Sequence, residues 1–362
     1  MFIHSSYRDP ITGTLIRTIG IQGSHVTHQY VSCMSWLTDN RHLVLCVDID
    51  ENLRGRFARF DTESGEGEII DSLTWASGVV SRQNTFYYLQ GDHRIYAANL
   101  VTGETFVVCS KPGVVFKEPL SVNDDGSRLG VYWCSGSGGD YTIGWVDTAT
   151  GEVHAAVQPG FAEPYPVANH AQVNPAYSNL LFFAHEGSAH HIPDRIWSVD
   201  TGTGLSLNLY VQRSMPDGSL GEYVGHEVWS HDGEKLYFVN YPHSPLRTAG
   251  IYYASKDGAV SGLVSDAFPY WHVGVSPDGR WAAADTMPDR SRSKIVLIDL
   301  ATGAAEVLCD IRCGDRHPGH PHPTFSPDGS KVTFAYMNDE GDIGVGIVDL
   351  GARNRQKAGA PY

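Results

Sequence analysis

Short apolar runs with polar interruptions recur along the whole 362-residue chain, among them Thr85-Phe86-Tyr87-Tyr88-Leu89, Lys235-Leu236-Tyr237-Phe238-Val239 and Lys331-Val332-Thr333-Phe334-Ala335-Tyr336. Their β-branched and aromatic content predicts half-buried or core strands. No apolar pattern of helical period is sustained for a dozen residues, so no long helix is expected. Two kinds of turn separate the runs. The first comprises Thr38-Asp39-Asn40, Ser81-Arg82-Gln83-Asn84, Asn123-Asp124-Asp125-Gly126, Asn174-Pro175-Ala176-Tyr177, Ser230-His231-Asp232-Gly233, Ser276-Pro277-Asp278-Gly279 and Ser326-Pro327-Asp328-Gly329. These seven copies stand roughly 40 to 55 residues apart, the repeat length of a four-stranded propeller blade. The second follows within each repeat, as in Asp147-Thr148-Ala149-Thr150-Gly151 and Asp299-Leu300-Ala301-Thr302-Gly303. Thr-Gly and Asp-Gly supply the positive φ that tight hairpins need, and Pro before Asp presets the turn.

The pattern predicts an all-β chain, a seven-bladed β-propeller forming a single domain over residues 1–362. A pair of β-sandwiches is the rival architecture. Ring closure is expected to borrow a strand from the N-terminal region, and the polar residues 353–362 to fray. In a propeller the loops at one end of every blade converge on the channel mouth, so residues distant in sequence meet there.

Charge narrows the partners. Lys and Arg number 26 against 41 Asp and Glu, a net of −15, which argues against nucleic acid as a partner because phosphate binding needs concentrated basic side chains. No apolar stretch approaches the length that spans a bilayer, so no membrane role is expected. The N-terminal residues lack a basic region followed by an apolar one, and a cytoplasmic chain is expected. The six Cys read as small buried hydrophobes, with Cys309 and Cys313 as an alternative ligand pair of unusual spacing.

The chain carries 17 His, and several keep step with the repeat. His28, His170, His226, His272 and the cluster His317, His320 and His322 all fall shortly before a turn of the first kind. If that register is the innermost strand, these imidazoles face the channel from different blades. Residues two apart in an extended segment share a face, so His320 and His322 form a chelating pair. With His272 they make a set suited to Mn, Zn, Fe, Ni or Cu; stiff, solvated His-Pro loop is the alternative, and His190 and His191 read as such loop. His226 is a candidate general base or a structural His beside Trp229. Arg195 has the planar fork that suits a carboxylate, or is an ordinary surface Arg.

His-Pro-His-Pro-Thr-Phe-Ser-Pro-Asp-Gly (320–329) together with Gly-His-Glu-Val-Trp (225–229) resembles the oligogalacturonate lyases, intracellular seven-bladed propeller enzymes that use Mn²⁺. The similarity extends over the His28 segment, Phe183-Ala184-His185-Glu186-Gly187, Arg195-Ile196-Trp197, His272 before its turn, and Gly314-Asp315-Arg316. It implies a metal held at His272, His320 and His322 and by His317 as a fourth ligand, which stands where the family has Gln. It further implies His226 as base, Arg195 as a catalytic and substrate-binding residue, and His170 and His185 in the substrate cleft. The reaction implied is β-elimination on a small acidic oligosaccharide, with Mn²⁺ or another divalent ion polarising the uronate. A lyase for a different uronate and a non-catalytic propeller scaffold remain as alternatives.

Overall fold

A computed structural model describes residues 1–75, 77–135 and 140–351. Seven antiparallel sheets are arranged as the blades of a β-propeller, six of four strands and one of five. Blades one to six take residues 26–75, 78–110, 114–157, 167–210, 224–265 and 270–312, each in simple up-and-down order from the channel outward. Blade seven is built from both ends of the chain. Thr324–Phe325, Lys331–Met337 and Ile343–Asp349 form its inner part, and Leu15–Ile21 and Phe2–Arg8 complete it. Two N-terminal strands are therefore borrowed where one was expected, because the hairpin at Asp9, whose Oδ1 accepts the amides of Ile11 and Thr12, brings Phe2–Arg8 back along Leu15–Ile21. Residues 353–362, expected to fray, lie outside the described residues.

The turns form as their residues dictate. In the Ser-Pro-Asp-Gly turns the Ser hydroxyl donates to the Asp carboxylate, at 2.6 Å in Ser276–Asp278 and 2.7 Å in Ser326–Asp328. At the outer hairpins one Asp carboxylate oxygen collects several donors. Asp299 Oδ1 accepts from the Ala301 and Thr302 amides and the Thr302 hydroxyl, an Asx turn that Gly303 leaves at φ +73°.

Each seam between neighbouring blades holds its own apolar cluster, so the seven seams carry seven clusters. Phe182, Ile196, Leu236 and Phe238 fill the seam of blades four and five; Ile19, Leu43 and Val345 that of seven and one. Radial packing of this kind leaves a central channel, whose Ser-Pro-Asp-Gly end is lined largely by apolar residues such as Val79, Val122, Val173, Val228 and Val275. Every first strand begins, every second strand ends and every third strand begins at the same end of the ring, opposite the Ser-Pro-Asp-Gly turns. The described helical residues include no helix long and apolar enough to cross a membrane.

Candidate active site

In blades four to seven the innermost segment places one His at the rim of that end, on the first strand in blades four to six and just ahead of Thr324–Phe325 in blade seven. It stands four positions before the Ser or Asn that opens the turn: His170 in blade four, His226 in five, His272 in six and His322 in seven. Register shifts interrupt the pairing of the first strand at this level in blades three to six, between Lys117 and Ser121, Asn169 and Gln172, Gly225 and Val228, and Tyr270 and His272. A bulge re-aims the side chain it carries. His170, His226 and His322 have φ of +54°, +58° and +48°, a left-handed conformation that costs energy for a residue with a Cβ and that clusters at functional sites.

His272, His320 and His322 converge. Each offers a ring nitrogen, and the three atoms lie within 4.8 Å of one another. His272 Nε2, His320 Nδ1 and His322 Nε2 are shielded from solvent and bonded to no protein group. Three orphaned nitrogens at one point are costly in an empty protein; a divalent ion accepting three imidazole lone pairs satisfies them together, so the residues fit a metal. His272 is oriented from behind. Its Nδ1 lies 2.8 Å from Asp285 Oδ2 and its amide donates to Asp285 Oδ1 at 2.6 Å. Burial raises Asp285 to about 7 and, with His320, holds His272 well below the usual His range.

His317, expected as a fourth ligand, is not in this group. The turn at Pro318-Gly319, closed by the Gly319 amide on the Arg316 carbonyl at 2.7 Å, lays its ring flat against His322, with centroids 4.9 Å apart at 22°, and 4.5 Å from His320. Burial and His320 push it down to about 4.

His226 adjoins the triad, its ring centroid 4.0 Å from that of His272. Its Nδ1 faces the carbonyl oxygen of Trp271, which can only accept, so Nδ1 carries the hydrogen and Nε2 the lone pair. Burial, His272 and Arg195 hold it well below its ordinary value, in the neutral form a base needs.

Arg195 is 6% exposed and clamped between two carboxylates. Nε donates to Glu227 Oε1 at 2.6 Å and one terminal nitrogen to Glu186 Oε1 at 3.0 Å, while the other stands 3.5 Å from Glu227 Oε2. Burial pushes Glu186 up, but Arg195 outweighs it and brings that carboxyl to about 2. His170 stands 3.9 Å from Glu186 Oε2 and 5.5 Å from the ring of Tyr30. Together with His28, Tyr30, Glu118 and His317, it lines a cavity beside the triad. His185, expected in the cleft, is held otherwise: Nδ1 lies 2.7 Å from Asp194, Nε2 2.9 Å from the Tyr165 carbonyl, and Phe161 stacks on its ring at 3.7 Å. Both its nitrogens are occupied by protein. His190 and His191, read as loop, sit against Tyr223 and Tyr165 respectively.

Sequence reasoning missed Asp285, Glu186 and the roles of Glu227 and Glu118. Asp285 had a signal, a carboxylate ending the apolar run Trp281-Ala282-Ala283-Ala284 in the strand that pairs with His272.

No family model matches the chain. It is 26% identical over 213 residues to an oligogalacturonide lyase of Pectobacterium atrosepticum, covering 52% of this chain and 50% of that protein. To an oligogalacturonate lyase of Dickeya dadantii it is 22% identical over 210 residues, again 52% and 50%. The chain thus spans about half the length of the curated relatives it matches. Among solved structures, an oligogalacturonate lyase in complex with manganese superposes with a TM-score of 0.83 at 18% identity, covering 96% of both chains. The chain is thus similar to oligogalacturonate lyases over part of its sequence and shares their propeller fold. An oligogalacturonate lyase from Vibrio parahaemolyticus shares the propeller at a TM-score of 0.80 and 19% identity, over 96% of this chain and 97% of its own. This chain brings three imidazoles together at one point, with a fourth, His317, stacked beside them.

Proposed function

We propose that the protein is a metal-dependent lyase that cleaves oligogalacturonate by β-elimination. The observation that carries this reading is the adjacency of His226, with its Nε2 lone pair, to three imidazoles whose inward nitrogens have no protein partner. The relatives named for the activity and the manganese complex support it.

A divalent ion at His272, His320 and His322, with manganese the first candidate, would supply positive charge for a uronate carboxylate and make the adjacent C5 proton more acidic. The chain's own residues account for the rest. His226 Nε2 takes the C5 proton; its Nδ1–H stays on the Trp271 carbonyl, which fixes the ring and favours the imidazolium that forms. Arg195 brings little net charge, since Glu186 and Glu227 compensate it. It offers direction instead, because a guanidinium with five N–H groups, three of them engaged here, has two left in a fixed plane for a sugar oxygen. The C5 electrons form the C4=C5 bond as C4–O breaks, leaving a 4,5-unsaturated uronate. The −15 of the chain does not oppose an anionic sugar, because the depressed histidines lining the site are neutral.

The test is ultraviolet detection of the unsaturated product from digalacturonate and from other oligouronides, in chelator and with Mn²⁺ restored. No product from any galacturonide sinks the galacturonate version. Product from a different uronide alone selects the second reading, a lyase for another uronate, which the presence of His317 in place of Gln favours.

A further inference from the structure

β-Elimination needs a proton for the departing oxygen as well as a base. In a 4-linked galacturonate chair, H5 and O4 are both axial and on opposite ring faces, so base and donor must approach from opposite sides. His226 does not line the cavity beside the triad, whereas His28, Tyr30, Ser77, Glu118, His170 and His317 do. His322 of the triad lines this cavity and His226 adjoins His272, so a ring held at the triad would have both the base and the cavity beside it. Among the side chains there, His28 Nε2 faces the Pro321 carbonyl, so its Nδ1 bears a lone pair and can only accept. Of the groups there that carry an O–H or N–H, a carboxylic acid at Glu118 is much the strongest acid, above the hydroxyls of Thr27, Ser77 and Tyr30 and the ring N–H groups of the neighbouring imidazoles.

Glu118 is built into the rim. It sits in the blade-three register shift between Lys117 and Ser121, and its carbonyl accepts the hydroxyl of buried Tyr132. Its Oε1 is shielded from bulk solvent and has no protein partner. No Lys or Arg lines the cavity to keep the group ionised. Burial accordingly raises its pKa well above the carboxylate range, as expected for a carboxyl that must stay neutral to donate.

We infer, resting on the lyase reading, that Glu118 is the proton donor, giving its carboxyl hydrogen to O4 as the C4–O bond breaks. The balance closes within the site: His226 gains the C5 proton, the C5–H pair becomes the C4=C5 bond, the C4–O pair leaves on oxygen and takes the Glu118 proton. Proton exchange with water returns both groups to their starting forms.

The experiment uses the metal-loaded full chain and two substrates, digalacturonate and a galacturonate bearing 4-nitrophenol at O4, whose departure needs no proton. Glu118→Gln is expected to lower kcat on digalacturonate by about 10²- to 10⁴-fold, the usual worth of a positioned acid. On the nitrophenyl ether the loss is expected to be small, and metal content unchanged. Glu118→Asp, which keeps the acid, gives a smaller contrast of the same kind and serves if the Gln variant does not fold. Equal losses on both substrates, no loss, or the same contrast from Tyr30→Phe instead overturns the inference while the lyase reading stands. Wild-type protein that cleaves neither substrate overturns both.

Discussion

Asp285 holds His272 by two contacts at once, a ring nitrogen at 2.8 Å and a backbone amide at 2.6 Å, from the strand that pairs with it. The carboxylate therefore fixes both the rotamer of the imidazole and the nitrogen it turns to the channel. Partners of this kind raise the basicity of a ligating His, and their loss typically costs 10- to 100-fold in metal affinity. Asp285→Asn should weaken Mn²⁺ binding by about that factor, measured by calorimetric titration of metal-stripped protein. Affinity equal to wild type would mean that Asp285 does not orient a ligand.

His226 touches the triad through its ring alone and is not one of the three converging residues. His226→Ala should leave bound metal and melting temperature near wild type and reduce turnover by about 10²- to 10⁴-fold. Elemental analysis beside the ultraviolet assay separates the two effects. Retained turnover would require another base, and lost metal would make His226 part of the metal site.

Much of this was legible in the chain because turns are local. Ser276-Pro277-Asp278-Gly279 and its six counterparts mark where a first strand ends, and counting back four residues reaches His272, His226, His170 and His322. What periodicity could not supply is contact between blades. Glu186 and Glu227 come from the second strand of one blade and the first of the next, and only the folded ring puts Arg195 between them. His185 illustrates the converse: its motif suggested the cleft, yet Asp194 and the Tyr165 carbonyl, set by loops with no repeat signature, occupy both its nitrogens. Glu118 was hidden for a third reason. Three residues of its strand, 118–120, stand opposite Val131 alone, so Glu118 falls five positions before Asn123 and outside the four-residue count, which is visible only in the pairing with residues 128–135.

The Arg195 clamp makes an acid-stability prediction. Glu186 falls from 4.5 to about 2 on folding. A depressed carboxyl contributes stability that is present above its unfolded pKa and is lost as pH falls through the folded one, here between 4.5 and about 2. At 1.36 kcal/mol per unit the contribution is roughly 3 kcal/mol at neutral pH, an upper figure for a partly exposed, coupled group. Glu186→Gln should therefore melt several degrees lower at pH 7, with the gap to wild type closing towards pH 2. A gap independent of pH would assign the loss to packing and not to charge.

The role of His317 separates two ways of using a fourth imidazole. As a ligand it would share the metal with His272, His320 and His322; as a wall it would press on His322 and shape the cavity. Its stacked geometry against His322, 4.9 Å at 22°, favours the wall, because a flat ring directs its nitrogens along the neighbour's plane and not at the point where the other three converge. His317→Ala should then change Mn²⁺ affinity by roughly tenfold or less, the scale of a support residue, while raising KM for the oligouronide. His322→Ala, which removes a converging nitrogen, should abolish stoichiometric metal. Calorimetric titration of both variants, with KM measured on His317→Ala, decides between the roles. If His317→Ala loses metal as completely as His322→Ala, four imidazoles bind the ion and the ring must turn from its stacked position to do so.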